Sequence, residues 1–333
     1  MRTSKSRQRQ SRTARLALGA AACAASLAGL ASAPATARTE PAVNVATPGY
    51  LTMAWGRSLW AHGCNPGTLA PGVRTLEQDA QDLKAYGLRG VGGIVVNRTS
   101  DTRTCERGVT NATWADLARL QTAYGWSFVS QSMNYTRMTT LTTDAQRYAE
   151  TGATLAPLAA RGHTQAWGAF FYPDDEQDLP AQQMVAKYFA FGRLYTLVPG
   201  FNTKASATVF PYTLLTYTPL GGRCNNTALP CYAIKVRNDR ITAPPSAIVK
   251  ALNPRPGQWS VIQMFRFVEG KSGTLGQANA WDCTSPDWRN RWTGIPENYC
   301  RNTFLTALAQ RDRTVVNVTP AQMATRWGRT PSG

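Results

Sequence analysis

The sequence has 333 residues, of which 43% are hydrophobic and 17% charged, and its formal net charge is +17. This length excludes a minimal domain and is typical of one large α/β barrel or of two smaller domains. No stretch after residue 40 is apolar for long enough to span a membrane. The positive charge favours contact with anionic polymers, but it does not indicate a fold or a chemistry.

The N-terminus has the layout of a secretory signal peptide. Six basic residues and no acid occupy positions 1–15, an uncharged stretch covers Leu16–Leu30, and small residues surround Ala33 and Ala37. We therefore expect an exported protein in which residues 1–37 are removed by cleavage near Ala33 or Ala37. Cleavage would leave +11 of the +17 charges. An uncleaved membrane anchor is the alternative, although a spanning helix needs about 20 apolar residues.

The rest of the chain is predicted to be one domain that is cross-linked by disulfides. Residues 38–48 are interpreted as a flexible lead-in and residues 49–325 as a single domain. Six cysteines remain after the signal peptide, and an even number in an oxidising compartment favours three disulfides. Neighbours along the chain suggest the pairs Cys64–Cys105, Cys224–Cys231 and Cys283–Cys300. A zinc site is the alternative, but there is no C-x-x-C motif and there are only two histidines. We expect no metal and no cofactor.

Helical and strand-like segments alternate along this domain. Helices are predicted at residues 75–86, 113–124 and 143–161, each followed by a glycine that ends it. Strands are predicted at residues 91–97, 126–132, 165–172, 205–210, 232–236 and 259–267. Such repeated units indicate a parallel sheet. The length favours a (β/α)8 TIM-like barrel, and an open α/β parallel sheet is the alternative fold.

A run of acids follows the predicted strand 165–172. Four of the 19 acids in the chain fall between positions 174 and 178, where a barrel strand would end and where barrel enzymes carry their chemistry. If the extended backbone continued, Asp174 and Glu176 would share a face about 6–7 Å apart, and Asp175 would point away. One protonated and one ionised carboxylate suit cleavage of a glycosidic bond. An acid-rich helix N-terminus and a surface calcium site are the alternatives.

Further candidates for the site are aromatic or acidic. Rigid aromatic rings can stack on sugars, and the alternative is that they plug the end of the barrel as a satellite core. The aromatic candidates are Trp55, Trp60, Trp167, Tyr172, Trp281, Trp288, Trp292 and Tyr299. Asp282 and Glu269 are candidates for a further carboxylate, with Glu269 also interpreted as a solvated loop acid.

Several short motifs between Cys64 and Asp178 stand in a recognisable order. A Cys-x-Pro follows a glycine at residues 63–66, and paired glycines occur at 90–94. Cys105 precedes a helix start at 109–114, a strand ends in Gln131, and Tyr-x-Asp-x-Glu occupies 172–176. This part of the chain, about 115 residues, resembles the secreted bacterial glycoside-hydrolase-like domain related to family 25 lysozymes. The resemblance implies a barrel that acts on or binds cell-wall glycan, with Asp174 and Glu176 as central acids and Glu176 as proton donor.

One departure from the family pattern puts turnover in doubt. The family carries an Asp two residues before the first cysteine, where this chain has His62. A histidine can hydrogen-bond a substrate, but it cannot replace a permanent negative charge near neutral pH.

Three hypotheses therefore stay open for a chain that we expect to be a monomer. The first is a secreted glycoside hydrolase that acts on cell-wall polysaccharide by carboxylate acid/base catalysis. The second is a catalytically inactive cell-wall glycan-binding protein of the same fold. The third is a basic secreted protein that binds nucleic acid or another polyanion.

Overall fold

A computed structural model of the chain describes residues 47–56, 60–61, 72, 74–102, 105–106, 109–196, 200–209, 214–217, 245–264, 266–273, 281–286, 292–293 and 298–332. The predicted signal peptide, His62, Trp288, Cys64, Cys224 and Cys231 lie outside this part of the chain. Side-chain positions are also not described for Trp60, Trp292 and Cys105. None of the helices in the described ranges is both long enough and apolar enough to cross a membrane.

Seven parallel strands form the centre of the described structure. They are β1 (Tyr50–Trp55), β2 (Gly90–Ile94), β3 (Ser127–Ser130), β4 (Phe170–Phe171), β5 (Gly192–Thr196), β6 (Leu214–Tyr217) and β7 (Gln258–Met264). Each strand pairs with the next, and β1 also pairs with β7 over six residues, which curls the sheet round on itself. The predicted α/β class with a parallel sheet is confirmed. The described residues supply seven barrel strands instead of eight, and the strand predicted at 232–236 lies outside them.

Short strands flank this sheet. Val316–Asn317 extends β1 in parallel, and Asn202–Thr203 runs antiparallel to β7. Three small sheets are built from Trp60–Ala61, Val109–Asn111 and Cys105–Glu106, from Lys271–Ser272, Trp281–Asp282 and Trp292–Thr293, and from Arg266–Val268 and Asn298–Cys300.

Helices separate the strands in chain order. They are α1 (Leu76–Ala85), α2 (Trp114–Tyr124), α3 (Asp144–Glu150), α4 (Leu155–Ala160), α5 (Leu179–Tyr188), α6 (Lys204–Val209), α7 (Pro245–Leu252), α8 (Arg301–Leu308) and α9 (Pro320–Trp327). A threonine precedes α1, α2, α3 and α9, and in each case a side chain three residues later completes a capping box. These caps explain why the predicted starts of the first three helices agree with the structure to within one residue.

Three predicted elements are wrong in extent or in type. The strand predicted at 165–172 is reduced to β4, because Ala166–Gly168 form a 3₁₀ turn. The helix predicted at 143–161 is divided into α3 and α4 by a 3₁₀ turn at Gly152–Thr154, where the Thr154 hydroxyl bonds the Ser130 hydroxyl of β3. The strand predicted at 205–210 is helix α6. The Thr203 hydroxyl accepts a hydrogen bond from the Ser206 amide and caps that helix, so a local bond overrides the apolar composition.

Alternate residues of the strands face two separate cores. Odd positions of β1 and even positions of β7, such as Met53 and Ile262, pack outward against the helices, together with Leu83 of α1 and Leu252 of α7. The intervening positions point inward and form a second core with Ala54, Val91, Val129, Phe171 and Val261. The inward-facing positions that follow these residues along each strand therefore lie at the carboxyl end of the barrel.

Helix α9 packs at the amino end of the barrel. Its residues Met323 and Ala324 belong to the inner core, and the Trp327 ring lies 5.5 Å from the ring of Trp259. A Cβ atom on Gly168 would come within 2.4 Å of the Ala321 nitrogen, so this approach requires a glycine.

The structure confirms one of the three predicted disulfides. Cys283 and Cys300 are bonded and pack in a small buried cluster with Val268 and Trp281. The bond joins the segment after Trp281–Asp282 to the start of α8. The pairs Cys64–Cys105 and Cys224–Cys231 stay predictions, because Cys64, Cys224, Cys231 and the side chain of Cys105 lie outside what the structure describes.

Candidate functional site

Unusual backbone conformations mark the loops that follow β3 and β4. Among the described residues other than glycine, positive φ angles occur at Ser132 (88°), Tyr135 (66°), Asp174 (51°) and Asp175 (58°). All four therefore lie within five residues of the carboxyl ends of these two neighbouring strands. Left-handed conformations at residues with a Cβ are energetically costly and cluster at functional sites. We call residues 132–137 the rim loop and residues 173–176 the acid turn.

The acid turn does not continue β4 as an extended strand. Residues Pro173–Asp175 form a 3₁₀ turn with left-handed conformations at both aspartates. The extended backbone that the sequence prediction assumed is therefore wrong. Asp174 and Glu176 nevertheless contact the same arginine, and Asp175 contacts a different arginine, on β5.

Asp174 and Glu176 instead hold a single arginine of the rim loop. The Arg137 guanidinium lies 3.0 Å from Asp174 Oδ2 through Nε and 3.3 Å from Glu176 Oε1 through Nη1. The Tyr135 hydroxyl donates to Asp174 Oδ1 at 3.3 Å, and the Thr139 hydroxyl donates to Glu176 Oε2 at 2.6 Å. The hydrogen bond with Asp174 and the charge of Glu176 raise the pKa of Arg137 above its ordinary value. Both carboxylates are therefore engaged by the same guanidinium and by neighbouring hydroxyl donors.

Asp175 is the acid that faces the barrel interior. Its Oδ1 lies 3.5 Å from Nη2 of Arg193, a strand residue whose side chain is only 3% exposed. Arg193 is opposite Phe171 in the register of β4 and β5, and its guanidinium carbon lies 4.3 Å from the centre of the Phe171 ring. Asp175 and Arg193 therefore lie on the inward face of the sheet, directly above the apolar inner core.

Two buried glutamines lie on the same inward layer. Gln131 follows Val129 by two positions and Gln263 follows Val261 by two positions, and both side chains are 2% exposed. Glycines leave room for them: a Cβ on Gly56 would lie 2.9 Å from Gln263 Nε2 and 3.5 Å from Gln131 Nε2. Gln263 Oε1 has no hydrogen-bond partner among the described residues.

Together, Asp175, Arg193, Gln131 and Gln263 form what we call the inner cup. They are brought together from four strands or strand ends at the carboxyl end of the barrel. Buried charged and amide groups are costly unless they are paired or have a function. The inner cup offers a carboxylate that can accept a proton, and it offers guanidinium and amide N–H groups that can stabilise a negative charge.

Several predicted sugar-binding aromatics lie within the protein core. Trp55 is 2% exposed and points outward from β1, with its ring 4.7 Å from that of Trp126. Tyr172 is fully buried beneath α5 in a cluster with Phe170 and Val185. Neither ring can stack on a polysaccharide in this conformation.

Trp167 and Trp281 lie away from the inner cup. Trp167 precedes β4, and its backbone carbonyl accepts from Ala190 N just before β5, so it lies at the amino end of the barrel. Trp281 is buried beside the disulfide, with Nε1 donating to the Glu269 carbonyl at 3.0 Å. Trp281 thus belongs to a satellite core, which the sequence offered as the alternative.

The other predicted acids have their own partners. Asp282 accepts hydrogen bonds from the side chain and backbone of Thr284, which lower its pKa, and it lies 3.6 Å from Lys271 Nζ. Glu269 lies 3.0 Å from Arg74 Nη1 in an ion-pair network that also includes Arg301. Neither contact joins these acids to the acid turn.

No group of three or more His, Cys, Asp or Glu side chains within the described ranges is arranged to hold a metal ion. His163 is buried between the rings of Trp114 and Phe128, with Nδ1 3.1 Å from Gln121 Oε1. Burial lowers its pKa to about 4, so this histidine is neutral and structural at neutral pH.

The sequence prediction missed Arg193 and Gln263 as site residues. A signal for Arg193 was present, since one arginine interrupts the apolar run at residues 189–198. A charge within such a run points to a buried ionic group. Gln263 has the weaker signal of an amide within a strand-like apolar segment.

Comparison with known proteins gives distant structural matches only. No family model matches the chain, and no curated protein matches it. Solved structures that match include a family 4 carbohydrate esterase from Streptomyces lividans in complex with acetate, at 15% identity and a TM-score of 0.35, covering 85% of this chain and 91% of that one. A deacetylase with its substrate matches at 10% identity and a TM-score of 0.40, covering 86% and 94%. A deacetylase from Streptococcus pyogenes matches at 13% identity and a TM-score of 0.34, covering 52% and 92%.

These comparisons correct the predicted activity. The matching structures are of polysaccharide deacetylases and a carbohydrate esterase, whereas the sequence predicted a glycoside hydrolase related to family 25 lysozymes. That prediction is wrong, and the engagement of Asp174 and Glu176 by Arg137 gives a physical reason. Similarity at these TM-scores transfers no activity to this chain, so its function must be argued from its own residues.

Proposed function

We propose that this protein is a carbohydrate-modifying hydrolase that removes an acyl group from a polysaccharide at the inner cup. The observation that carries the proposal is the contact between buried Arg193 and partly exposed Asp175 at the carboxyl end of the barrel, beside two buried amides. Carboxyl ends of parallel barrel strands are where barrel enzymes place their catalytic groups. The carbohydrate substrate is part of the proposal, and it agrees with the predicted export and with the polysaccharide deacetylases and the carbohydrate esterase among the matching structures.

The chemistry of acyl hydrolysis matches the groups available. Asp175 accepts a proton from a water molecule as the water oxygen bonds to the acyl carbonyl carbon. Arg193, Gln131 and Gln263 supply N–H groups that stabilise the resulting oxyanion. When this intermediate collapses, the bond between the carbonyl carbon and the sugar heteroatom breaks, and the proton passes from Asp175 to that heteroatom. The products are a carboxylic acid and a sugar with a free hydroxyl or amine.

This chemistry needs one proton acceptor and several anion-stabilising donors, whereas glycosidic cleavage needs a proton donor and a second carboxylate. The inner cup has one proton acceptor, Asp175, and several donors that can stabilise an anion. The other two carboxylates of the acid turn, those of Asp174 and Glu176, are both held by Arg137 of the rim loop.

Acetate release from acetylated polysaccharide tests the proposal. The full chain is incubated with O-acetylated and N-acetylated peptidoglycan and with acetylated xylan, and both free acetate and new reducing ends are measured. We expect acetate without reducing ends, and we expect Asp175→Asn to lower the rate at least 100-fold, by the scale of general-base catalysis. Asp101→Asn is a matched control, because Asp101 forms the same type of pair with Arg161 at the surface. The control should leave the rate unchanged.

Two outcomes would overturn the proposal. One is the absence of acetate release from all three substrates by wild-type protein with native circular dichroism. The other is an Asp175→Asn variant as active as Asp101→Asn. Salt-sensitive retention on DNA without any acetate release would favour the polyanion-binding hypothesis instead.

A further inference from the structure

A buried carboxylate outside the inner cup holds the rim loop in place. Glu150, the last residue of α3, is 5% exposed. Its Oε2 accepts from the Asn134 amide at 2.9 Å, and its Oε1 accepts from Asn134 Nδ2 at 2.7 Å and from the Thr136 hydroxyl at 2.9 Å. All three of these bonds come from the rim loop. A buried carboxylate needs such donors, and one carboxylate therefore fixes both backbone and side chains of the loop.

The anchored loop has the strained backbone described above. Ser132 and Tyr135 have positive φ angles, and the Ser132 hydroxyl accepts from the Tyr135 amide at 2.7 Å. Asn134 Oδ1 also accepts from Asn97 Nδ2 at 2.7 Å, which ties the loop to the segment after β2. Left-handed residues persist only where surrounding contacts hold them, and Glu150 supplies three of these contacts.

The rim loop in turn holds the acid turn. Tyr135 and Arg137 bond Asp174, and Arg137 also pairs with Glu176. Asp174 is adjacent to Asp175, which faces Arg193 in the inner cup. A continuous series of contacts therefore leads from Glu150 to Asp175 without Glu150 touching the inner cup.

We propose that Glu150 is a positioning residue that sets the conformation of the acid turn through the rim loop and so places Asp175 against Arg193. This proposal rests on the proposed function for its consequence in catalysis. Its structural part stands on the contacts alone.

Hydrogen exchange measured by mass spectrometry tests the structural part without any activity. In wild-type protein the peptides covering 132–137 and 173–176 should be protected. In Glu150→Gln an amide NH₂ replaces one acceptor oxygen and faces Asn134 or Thr136 donors, so protection in both peptides should fall at least tenfold. Asp144→Asn on the same helix is the control, because Asp144 is exposed and pairs only with Arg147 among the described residues. It should leave both peptides protected.

A reciprocal exchange distinguishes positioning from a general loss of stability. When Glu150→Gln is combined with Asn134→Asp, the amide nitrogen introduced at position 150 donates to the carboxylate introduced at position 134. The amide oxygen at position 150 still accepts from the backbone N–H of residue 134. Protection in both peptides should return to within threefold of wild type. If acyl hydrolysis is observed, kcat should fall at least tenfold in the single variant and recover in the double variant.

The outcomes separate the two proposals. If protection of residues 173–176 is unchanged in Glu150→Gln, the positioning role is overturned whatever the activity. If protection falls and recovers as expected but no substrate is hydrolysed by wild-type protein, the positioning role is upheld and the proposed function fails. A double variant that stays unprotected also contradicts the inference, since it restores the pairing.

Discussion

Two arginines in this protein each hold several carboxylates, and they differ mainly in burial. Arg74 is 14% exposed and contacts Asp79 and Asp82 of α1 at 3.3 and 2.8 Å, as well as Glu269. Arg137 is 54% exposed and contacts Asp174 and Glu176 at similar distances. The hydrogen-bonding groups are the same, so the environment decides what each network does.

The buried network joins separate elements. Asp79 is fully buried and accepts from both Arg74 and the Phe267 amide, and Asp82 is shared with Arg301 at the start of α8. Removing one member would leave an uncompensated charge away from water. The exposed network joins two loops, and water can replace any of its contacts. The comparison indicates that the first network stabilises the fold, whereas the second positions a site and can rearrange.

The largest expected effect on stability is that of Arg74→Ala. It removes the guanidinium that pairs with buried Asp79 at 3.3 Å, and breaking a buried pair in this way costs about 3–5 kcal/mol. Chemical denaturation measures the free energy of unfolding. Arg119→Ala is the control, because Arg119 is half-exposed and pairs with Glu77 of α1 and with Asp116 three residues earlier on its own helix, so its loss should cost only about 0–1 kcal/mol. Equal losses of unfolding free energy in the two variants would contradict the stabilising role that we assign to the buried network.

A smaller effect on stability is expected from His163, a buried ionisable residue whose hydrogen-bond partner, Gln121, is neutral. Burial lowers the pKa of His163 to about 4, below its ordinary value of 6.5. Below pH 6.5 the unfolded chain binds a proton that the native chain does not, so stability is full above pH 6.5 and falls progressively towards pH 4. The loss should reach about 2 kcal/mol at pH 4, allowing for solvent screening.

The contribution of His163 is isolated by comparing the wild-type protein with His163→Gln at pH 7 and pH 4.5. The difference in unfolding free energy between the two pH values should be smaller in the variant. The assignment fails if both proteins lose the same stability on acidification.

The smallest expected effect on stability is that of Arg137→Ala. Its ion pairs are exposed, so the unfolding midpoint at physiological salt should be unchanged within experimental error. Hydrogen exchange should nevertheless rise in residues 173–176, because the acid turn loses its shared cation. A lowered midpoint without a change in exchange would reverse the roles that we assign to the two networks.

The agreement between sequence and structure is best where the determining contacts are local. Thr75, Thr113 and Thr143 mark helix starts because each cap is completed three residues along the chain. The bond between Cys283 and Cys300, 17 residues apart, was likewise suggested by their proximity in the chain. The predicted arrangement of Asp174 and Glu176 assumed an extended backbone, whereas two left-handed residues form a turn there.

The sequence by itself determined the α/β class, the starts of three helices, one disulfide and the position of the acid run at the end of a strand. These features depend on periodicity, on short-range hydrogen bonds and on cysteine spacing. Only the tertiary structure decided which acid faces the barrel interior and which residues accompany it. Asp175, Arg193, Gln131 and Gln263 come from separate strands, and no local pattern in the chain records that closing the parallel sheet brings them together.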